Sequence, residues 1–171
     1  ELSVSEFLDA VKAWALNDSY LTPIAEMAQA RITKMSDLGG LTAMFFMNRI
    51  DGMTAERLRD GVKLEQDAQR AAYTIALQQF DGMIAWNKEG VEASLRRTAE
   101  VLDAKLKDVI RPFYIAITGS AQGVPLFDAI THLGRDIIRE RLRHAMELLG
   151  PATSKEAKAW TDLLTAPPKA E

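Results

Sequence analysis

The residue types that most often carry catalysis or bind metals are sparse in this 171-residue chain. It has no cysteine, so a disulfide framework and a cysteine-based zinc site are both excluded. Its two histidines, His132 and His144, form neither an HxxxH nor an HExxH pair, which argues against a helical metal site. No motif surrounds acidic pairs such as Glu65 and Asp67, and exposed helix carboxylates usually serve solubility. The sequence therefore predicts no catalytic residue and no metal site.

A polar loop interrupts the apolar sequence between residues 113 and 130 and offers hydrogen-bonding chemistry instead. An apolar run ends at Ile117, and Thr118, Gly119, Ser120, Gln122, Gly123 and Pro125 follow before the chain turns apolar again at Leu126. Backbone N–H groups and hydroxyls of this kind can bind phosphates or base edges. They are also typical of a tight turn between two helices. A phosphate-binding P-loop is excluded because no lysine follows the second glycine.

Three arginines near the C-terminal end form a possible basic stripe. Arg135, Arg139 and Arg143 share one helix face, because successive residues of a helix are rotated by about 100°. Such a stripe can bind a row of phosphates through forked hydrogen bonds. The alternative is a solvated face on which Asp136 and Glu140 pair with the arginines.

Composition limits the classes of partner. The net charge is −3, so any nucleic-acid site must be a local basic patch, and binding to DNA is not expected. No apolar run approaches the ~20 residues that span a bilayer, and no signal peptide is visible. The absence of cysteine suits the cytoplasm. The first residue is Glu1 rather than methionine, which indicates a piece cut from a longer protein.

Helical periodicity runs through almost the whole chain and predicts an all-α fold, a bundle or cage of about nine to ten helices. Two small packed subdomains are expected, residues 1–60 and 61–171, with a seam near residues 52–61. The first helix, capped by Ser5, carries an apolar stripe that includes Phe7 and Trp14. A long helix is expected over residues 62–80, and another from Leu106 through Ile117 despite Pro112. Thr153 or Ser154 caps the last helix, and the tail 166–171 is expected to fray.

One segment carries a family resemblance. Residues 112–149 read PFYIAITGSAQGVPLFDAITHLGRDIIRERLRHAMELL. This resembles the C-terminal end of bacterial glutamyl-tRNA synthetase, whose pattern runs Pro-Leu-Arg-x-Ala-Leu-Thr-Gly, then a proline with Leu-Phe, then a Leu-Leu-Gly-Arg/Lys stretch. Upstream, AQARITKMSDL and LTAMFF are similar to a family segment that opens with Gln-x-Arg and leads to Leu-x-Phe-Phe. The resemblance implies an all-helical anticodon-binding region of a class I aminoacyl-tRNA synthetase.

The same resemblance implies a set of RNA contacts. Carried over by position, the residues that face the anticodon bases are Thr118, Ser120, Gln122, Gly123, Pro125 and Leu126. Tyr114 stands where the family has an arginine, and it can stack on a base but cannot form a charged fork. Arg31 aligns with a family arginine that helps to separate glutamate from glutamine anticodons. The alternative for Arg31 is a surface arginine at a helix C-terminus, which the helix dipole favours.

The function implied is to hold tRNA(Glu) so that its acceptor end reaches a separate N-terminal catalytic domain. That domain would use ATP and Mg²⁺ to attach glutamate; this chain alone would bind no cofactor, aminoacylate nothing and remain monomeric. Two alternatives stay open: a helical protein-interaction module without an RNA role, and the same region of a non-discriminating synthetase that also charges tRNA(Gln). Lys34-Met35-Ser36 looks like part of a KMSKS loop, but we interpret Ser36 as a helix N-cap.

Overall fold

The structure is a computed structural model that describes residues 2–165, except for the side chain of Ala15. Within these residues it contains ten α-helices and one 3₁₀ helix and no strand, which confirms the predicted all-α class. The predicted tail 166–171 lies outside the described residues. The elements are α1 Val4–Ala15, α2 Asp18–Gln29, α3 Asp37–Thr42, the 3₁₀ helix Ala43–Phe46, α4 Ala55–Arg59, α5 Gln66–Gly82, α6 Lys88–Val101, α7 Leu106–Thr118, α8 Leu126–Leu133, α9 Arg135–Leu149 and α10 Ser154–Thr165.

Short polar side chains begin several of these helices. Thr54 and Asn87 cap α4 and α6 by accepting hydrogen bonds from backbone amides three residues ahead, as the sequence predicts. Thr153 does the same for the amide of Glu156 at the start of α10. The prediction for α1 was wrong by two residues: Ser3, not Ser5, forms a capping box with Glu6, because only Ser3 has a glutamate three residues later at the correct place.

The predicted cap at Ser36 was also wrong in its mechanism. Ser36 precedes α3, but its side chain makes no capping hydrogen bond. The carboxylate of Asp37 closes this turn instead, accepting from the amides of Thr33 and Lys34, both at 3.2 Å. These hydrogen bonds lower the pKa of the Asp37 carboxyl, with the Thr33 amide as the main cause.

Both ends of the long helix differ from the ends that the apolar periodicity predicts. The long helix begins at Gln66 rather than residue 62, and it continues through Asp81 and Gly82. The residues before it form a turn, in which Arg59 donates a 2.6 Å hydrogen bond to the carbonyl of Leu64. The helix α7 spans residues 106–118 as the 3–4 spacing predicts, and it contains Pro112 without restarting there. The carbonyl of Pro112 accepts a hydrogen bond from the buried Tyr73 hydroxyl at 2.9 Å.

One continuous apolar core joins the two ends of the chain. Helices α5, α6, α7 and α9 pack around Tyr73, Phe80, Phe113 and Leu142, all of them fully buried. Side chains from before residue 60 complete the same cluster. They are Ile24, Met27, Met44, Phe45, Met53 and Leu58. The first sixty residues therefore cover one side of the core formed by the later helices.

Helix α1 does not bury its apolar stripe. Val4 is 86% exposed, Phe7 61% and Trp14 77%. Only the end of the helix approaches the core, where Trp14 lines a cleft with Phe45 and Phe46. Among the described residues, no helix has the length and apolar character needed to span a membrane.

Candidate nucleic-acid interface

A glycine ends α7 and starts the polar loop. Gly119 has φ +77°, and its amide donates to the carbonyl of Ile115 at 2.9 Å. A Cβ placed at this position would lie 2.7 Å from Cγ2 of Ile50. Two features therefore require glycine at position 119: the left-handed backbone and the close approach of Ile50. The segment from here to Pro125 is called the 119–125 loop below.

Hydroxyl groups shape the first half of the 119–125 loop. The Thr118 hydroxyl donates to the carbonyl of Tyr114 at 2.8 Å and accepts from the Ser120 amide at 3.2 Å. The Ser120 hydroxyl in turn accepts from the Gln122 amide at 3.3 Å. Ser120, Ala121 and Gln122 are exposed. The predicted contact residues Thr118, Ser120 and Gln122 thus lie together, two of them using their hydroxyls to fold the loop.

Arg31 and Tyr114 hold the second half of the loop. The Nε of Arg31 donates to the carbonyl of Gly123 at 2.7 Å, and one terminal nitrogen donates to the carbonyl of Met27 at 3.2 Å. The Tyr114 hydroxyl donates to the carbonyl of Val124. Burial raises the pKa of Tyr114, against the opposing effect of the Arg31 charge. The structure brings Arg31 and Tyr114 together at the loop, although they are distant in sequence.

Pro125 and Leu126, the last predicted contacts, lie at the start of α8. The Pro125 carbonyl accepts from the amide of Ala129 at 3.0 Å, which begins the helix. Pro125 is half-buried. Leu126 is only 5% exposed and belongs to the core. This end of the loop is therefore anchored by apolar packing, whereas its middle faces solvent.

Two further arginines that sequence reasoning missed bind the other end of the loop. Arg57, at the start of α4, donates to the carbonyl of Gly119 at 3.0 Å. Arg141, in α9, donates to the carbonyl of Ile117. No local sequence pattern could indicate the contact made by Arg57, since its partner lies 62 residues away. For Arg141 the signal was its place on the apolar stripe of α9, three residues after the buried Ile138.

Arg141 is a buried cation that has no carboxylate partner among residues 2–165. It is 1% exposed, and desolvation lowers its pKa to about 10. It is therefore still charged at neutral pH. Its guanidinium is satisfied by main-chain carbonyls alone. Besides Ile117, these acceptors are Met44 at 2.5 Å, Met47 at 2.5 Å and Asn48 at 3.1 Å. Arg141 thus links the end of the 3₁₀ helix to the last turn of α7, one residue before Thr118.

Some main-chain groups of the loop are engaged and others are free, so the surface it offers can be defined group by group. Arg57, Arg31 and Tyr114 bind the carbonyls of residues 119, 123 and 124. Within the described part of the chain, the amides of Ala121 and Gly123 donate to no other group. The side-chain amide of Gln122 has no partner there either. Residues 119–122 and Arg57 line an open cleft of about 330 Å³. This surface can donate to the acceptor atoms of bases or phosphates.

The predicted basic stripe on α9 is mostly engaged within the protein. The Arg135 guanidinium lies over the ring of Trp86, 5.5 Å from its centroid. Arg139 binds Asp81 at 2.5 Å, and this hydrogen bond is the main cause of its raised pKa. Arg143 is exposed and has no hydrogen bond or ion pair to any described residue. Of the three arginines, only Arg143 offers an unengaged charge.

The two histidines occupy different environments. The ring of His132 packs against Tyr20, with 4.7 Å between centroids, and against Phe45 at 5.5 Å. Burial lowers the pKa of His132, and its buried Nε2 has no hydrogen-bond partner in the described part of the chain. His144 is half-buried between Arg49 at 3.3 Å and Glu147 at 3.5 Å. Residues 2–165 contain no cluster of His, Asp and Glu side chains that could hold a metal ion.

A helical scaffold that presents a donor-rich loop has the features of an RNA-binding domain. A family model described as "Anticodon binding domain" matches residues 6–146, and the chain belongs to this family. This match, together with the relatives described next, confirms the predicted resemblance to bacterial glutamyl-tRNA synthetase.

The chain is similar to several proteins named glutamate–tRNA ligase. It is 36% identical over 169 residues to the one from Stutzerimonas stutzeri (strain A1501), covering 97% of this chain and 33% of the relative. The protein from Pseudomonas aeruginosa (strain UCBPP-PA14) is 37% identical over 168 residues, covering 98% and 34%. The protein from Pseudomonas fluorescens (strain Pf0-1) is 34% identical over 166 residues, covering 97% and 33%. The chain spans about a third of the length of these relatives.

Proposed function

We propose that this chain binds the anticodon arm of tRNA(Glu) in the cytoplasm as the monomeric anticodon-binding region of a glutamate–tRNA ligase. Binding here would direct the acceptor end of the tRNA towards a separate catalytic domain, which would use ATP and Mg²⁺. The observation that carries the proposal is the 119–125 loop, in which side-chain donors bind the carbonyls of residues 119, 123 and 124. Among the described residues, the amides of Ala121 and Gly123 donate to no other group. Family membership supports the same partner.

In this proposal the loop reads bases mainly through main-chain groups. Unstacked anticodon bases expose acceptors on their Watson–Crick edges, which free amides and the Gln122 side chain can bind. Ser120 keeps lone-pair capacity beyond its bond to the Gln122 amide. The half-buried ring of Pro125 offers a flat apolar edge. Thr118 contributes by fixing the first turn of the loop, and Leu126 by anchoring α8 in the core.

In this proposal Arg143 is the main phosphate-binding residue of the α9 stripe. Arg135 and Arg139 are held by Trp86 and Asp81, so a phosphate would have to compete with those contacts. Arg143 has no such competitor among the described residues. A single free arginine is consistent with a net charge of −3 and with weak binding that depends on the anticodon rather than on bulk charge.

We further propose that the two parts of the chain divide the work. Residues 1–60 would brace the anticodon-facing surface, and residues 61–171 would supply most of it. Arg31 belongs to the first part and reaches Gly123 in the second. The remaining guanidinium nitrogen of Arg31 can donate to a base, which favours an enzyme that discriminates glutamate from glutamine anticodons. Charging of tRNA(Glu) and tRNA(Gln) transcripts by the complete ligase would decide this: equal rates would establish the non-discriminating alternative.

The central test is a binding titration of the 171-residue chain with RNA hairpins. One hairpin carries the glutamate anticodon, and the second differs only in the anticodon bases. Gln122→Ala should weaken binding of the first hairpin and leave the second unchanged. Gln78→Ala, an exposed glutamine on α5 outside the loop, is the matched control. Equal affinity of the wild-type chain for both hairpins, at low and at high salt, would refute anticodon recognition.

The protein-interaction alternative has one specific observation in its favour. The apolar stripe of α1 is exposed, with Val4 86%, Phe7 61% and Trp14 77% accessible. Exposed apolar faces of this kind often bind other protein surfaces. A pulldown with the chain after nuclease treatment tests it. A stoichiometric protein partner that survives nuclease, together with no hairpin binding, would favour this alternative over the RNA proposal.

A further inference from the structure

Arg57 bridges two segments that are far apart in sequence. One terminal nitrogen donates to the carbonyl of Gly52 at 2.8 Å and to that of Asp51 at 3.3 Å. The other donates to the carbonyl of Gly119 at 3.0 Å. The planar guanidinium therefore holds the 51–52 turn and the end of α7 at a fixed separation.

A second contact reinforces this bridge. The Cγ2 of Ile50 lies so close to Gly119 that an added Cβ would be 2.7 Å away. The amide of Arg57 donates to the Thr54 hydroxyl at 3.2 Å, which fixes the first turn of α4. The backbone that carries Arg57 is therefore set by a helix cap before the side chain reaches Gly119.

The exposed part of the loop depends on this bridge because it has few other contacts. The hydrogen bonds made by residues 120–122 within the described structure stay inside residues 118–122. Arg57 binds the residue before this segment, and Arg31 binds the residue after it. Arg57 and the segment also line the same open cleft.

We propose that Arg57 is a positioning residue for RNA binding, which holds residues 120–122 in the conformation that meets the anticodon. This inference rests on the proposed function of the loop. It assigns Arg57 to the shape of the site rather than to neutralising a phosphate. The role requires the arginine fork, because a lysine keeps the charge but cannot bridge carbonyls on both sides.

The test compares Arg57→Lys with the wild-type chain in two measurements. The first is hydrogen exchange by NMR of the Gly119, Ser120 and Gln122 amides in the free protein. The second is affinity for the glutamate-anticodon hairpin and its anticodon-substituted partner over a salt series. We expect faster exchange at these amides and about five- to tenfold weaker binding of the first hairpin, the size of the net contribution of one typical hydrogen bond. The salt slope and the affinity for the second hairpin should stay unchanged.

Arg96→Lys is the control, because Arg96 is exposed on α6 and pairs with Glu92. Three results would overturn the inference. Unchanged exchange and affinity in Arg57→Lys would show that the fork is dispensable. Equal weakening of both hairpins by Arg57→Met, rescued by Arg57→Lys and with a salt slope lower by about one, would identify a direct phosphate contact. If the wild-type chain binds neither hairpin, the proposed function fails and the RNA role of Arg57 fails with it, even where exchange shows that Arg57 orders the loop.

Discussion

Substituting Gly119 with alanine should destabilise the protein through two separable effects. The left-handed backbone at φ +77° costs a residue with a side chain about 1–2 kcal/mol. In addition, the new Cβ would lie 2.7 Å from Cγ2 of Ile50, closer than any normal carbon contact. Moving Ile50 away adds about 1–2 kcal/mol, in the range of an overpacked site. The free energy of unfolding should therefore fall by about 3 kcal/mol, a large fraction of a typical domain's stability.

A double-mutant cycle separates the two effects. Ile50→Ala removes Cγ2, so Gly119→Ala in that background should cost only the backbone strain. The coupling free energy between the two sites should be about 1–2 kcal/mol. Gly52→Ala is the matched control, because Gly52 has φ +63° but its nearest contact for a Cβ is 3.6 Å away. It should show the strain without the clash.

Urea denaturation followed by circular dichroism measures these free energies, provided that the slopes of the transitions agree. A Gly119→Ala variant that differs from wild type by less than about 0.5 kcal/mol would refute the geometry at the end of α7, since surface substitutions without a specific mechanism fall in that range. An equal cost in the wild-type and Ile50→Ala backgrounds would show instead that Ile50 does not make the close contact.

Three further predictions concern charged and titrating groups. Arg141→Met should lower the free energy of unfolding by about 3 kcal/mol or more, because it leaves several buried carbonyls unpaired; denaturation against the exposed Arg49→Met shows whether the loss is specific. His132 has a folded-state pKa below its ordinary value of 6.5, so its stabilising contribution is complete above pH 6.5 and declines as the pH falls through the folded-state pKa. Melting curves between pH 5 and pH 7.5 should accordingly be flatter for His132→Phe than for wild type, and parallel curves would contradict this. Arg143→Ala should weaken binding of both RNA hairpins equally and lower the salt slope by about one, whereas Arg96→Ala should leave the slope unchanged.

Local sequence patterns predicted a large part of the fold. The caps at Thr54 and Asn87, the helix through Pro112 and the glycine that ends α7 were all readable, because each depends on residues within a turn of one another. The error at the start of the long helix α5 had a local cause as well. The apolar residue Val62 extended the helical period, but the backbone before Gln66 is held as a turn by Arg59.

The site was predicted less completely than the fold. Thr118, Ser120, Gln122 and Gly123 were singled out, and they lie together at the end of α7 and in the loop that follows it. The roles of the arginines could not be read in the same way. Arg135, Arg139 and Arg143 share a face by periodicity, yet one stacks on Trp86 and another binds Asp81. Periodicity gives the direction of a side chain, whereas its partner depends on which other element packs beside it.

The amino-acid sequence by itself determined the helical class, the helix caps and the position of the polar loop, because these follow from short-range hydrogen bonding and from the 3–4 spacing of apolar residues. Only the tertiary structure decided which groups of the loop are already bound within the protein. Gly119 is bound by Arg57 from 62 residues away and Gly123 by Arg31 from 92 residues away. Contacts over such separations exist only after the core has formed, so no local pattern could show that the carbonyls of Gly119 and Gly123 are occupied.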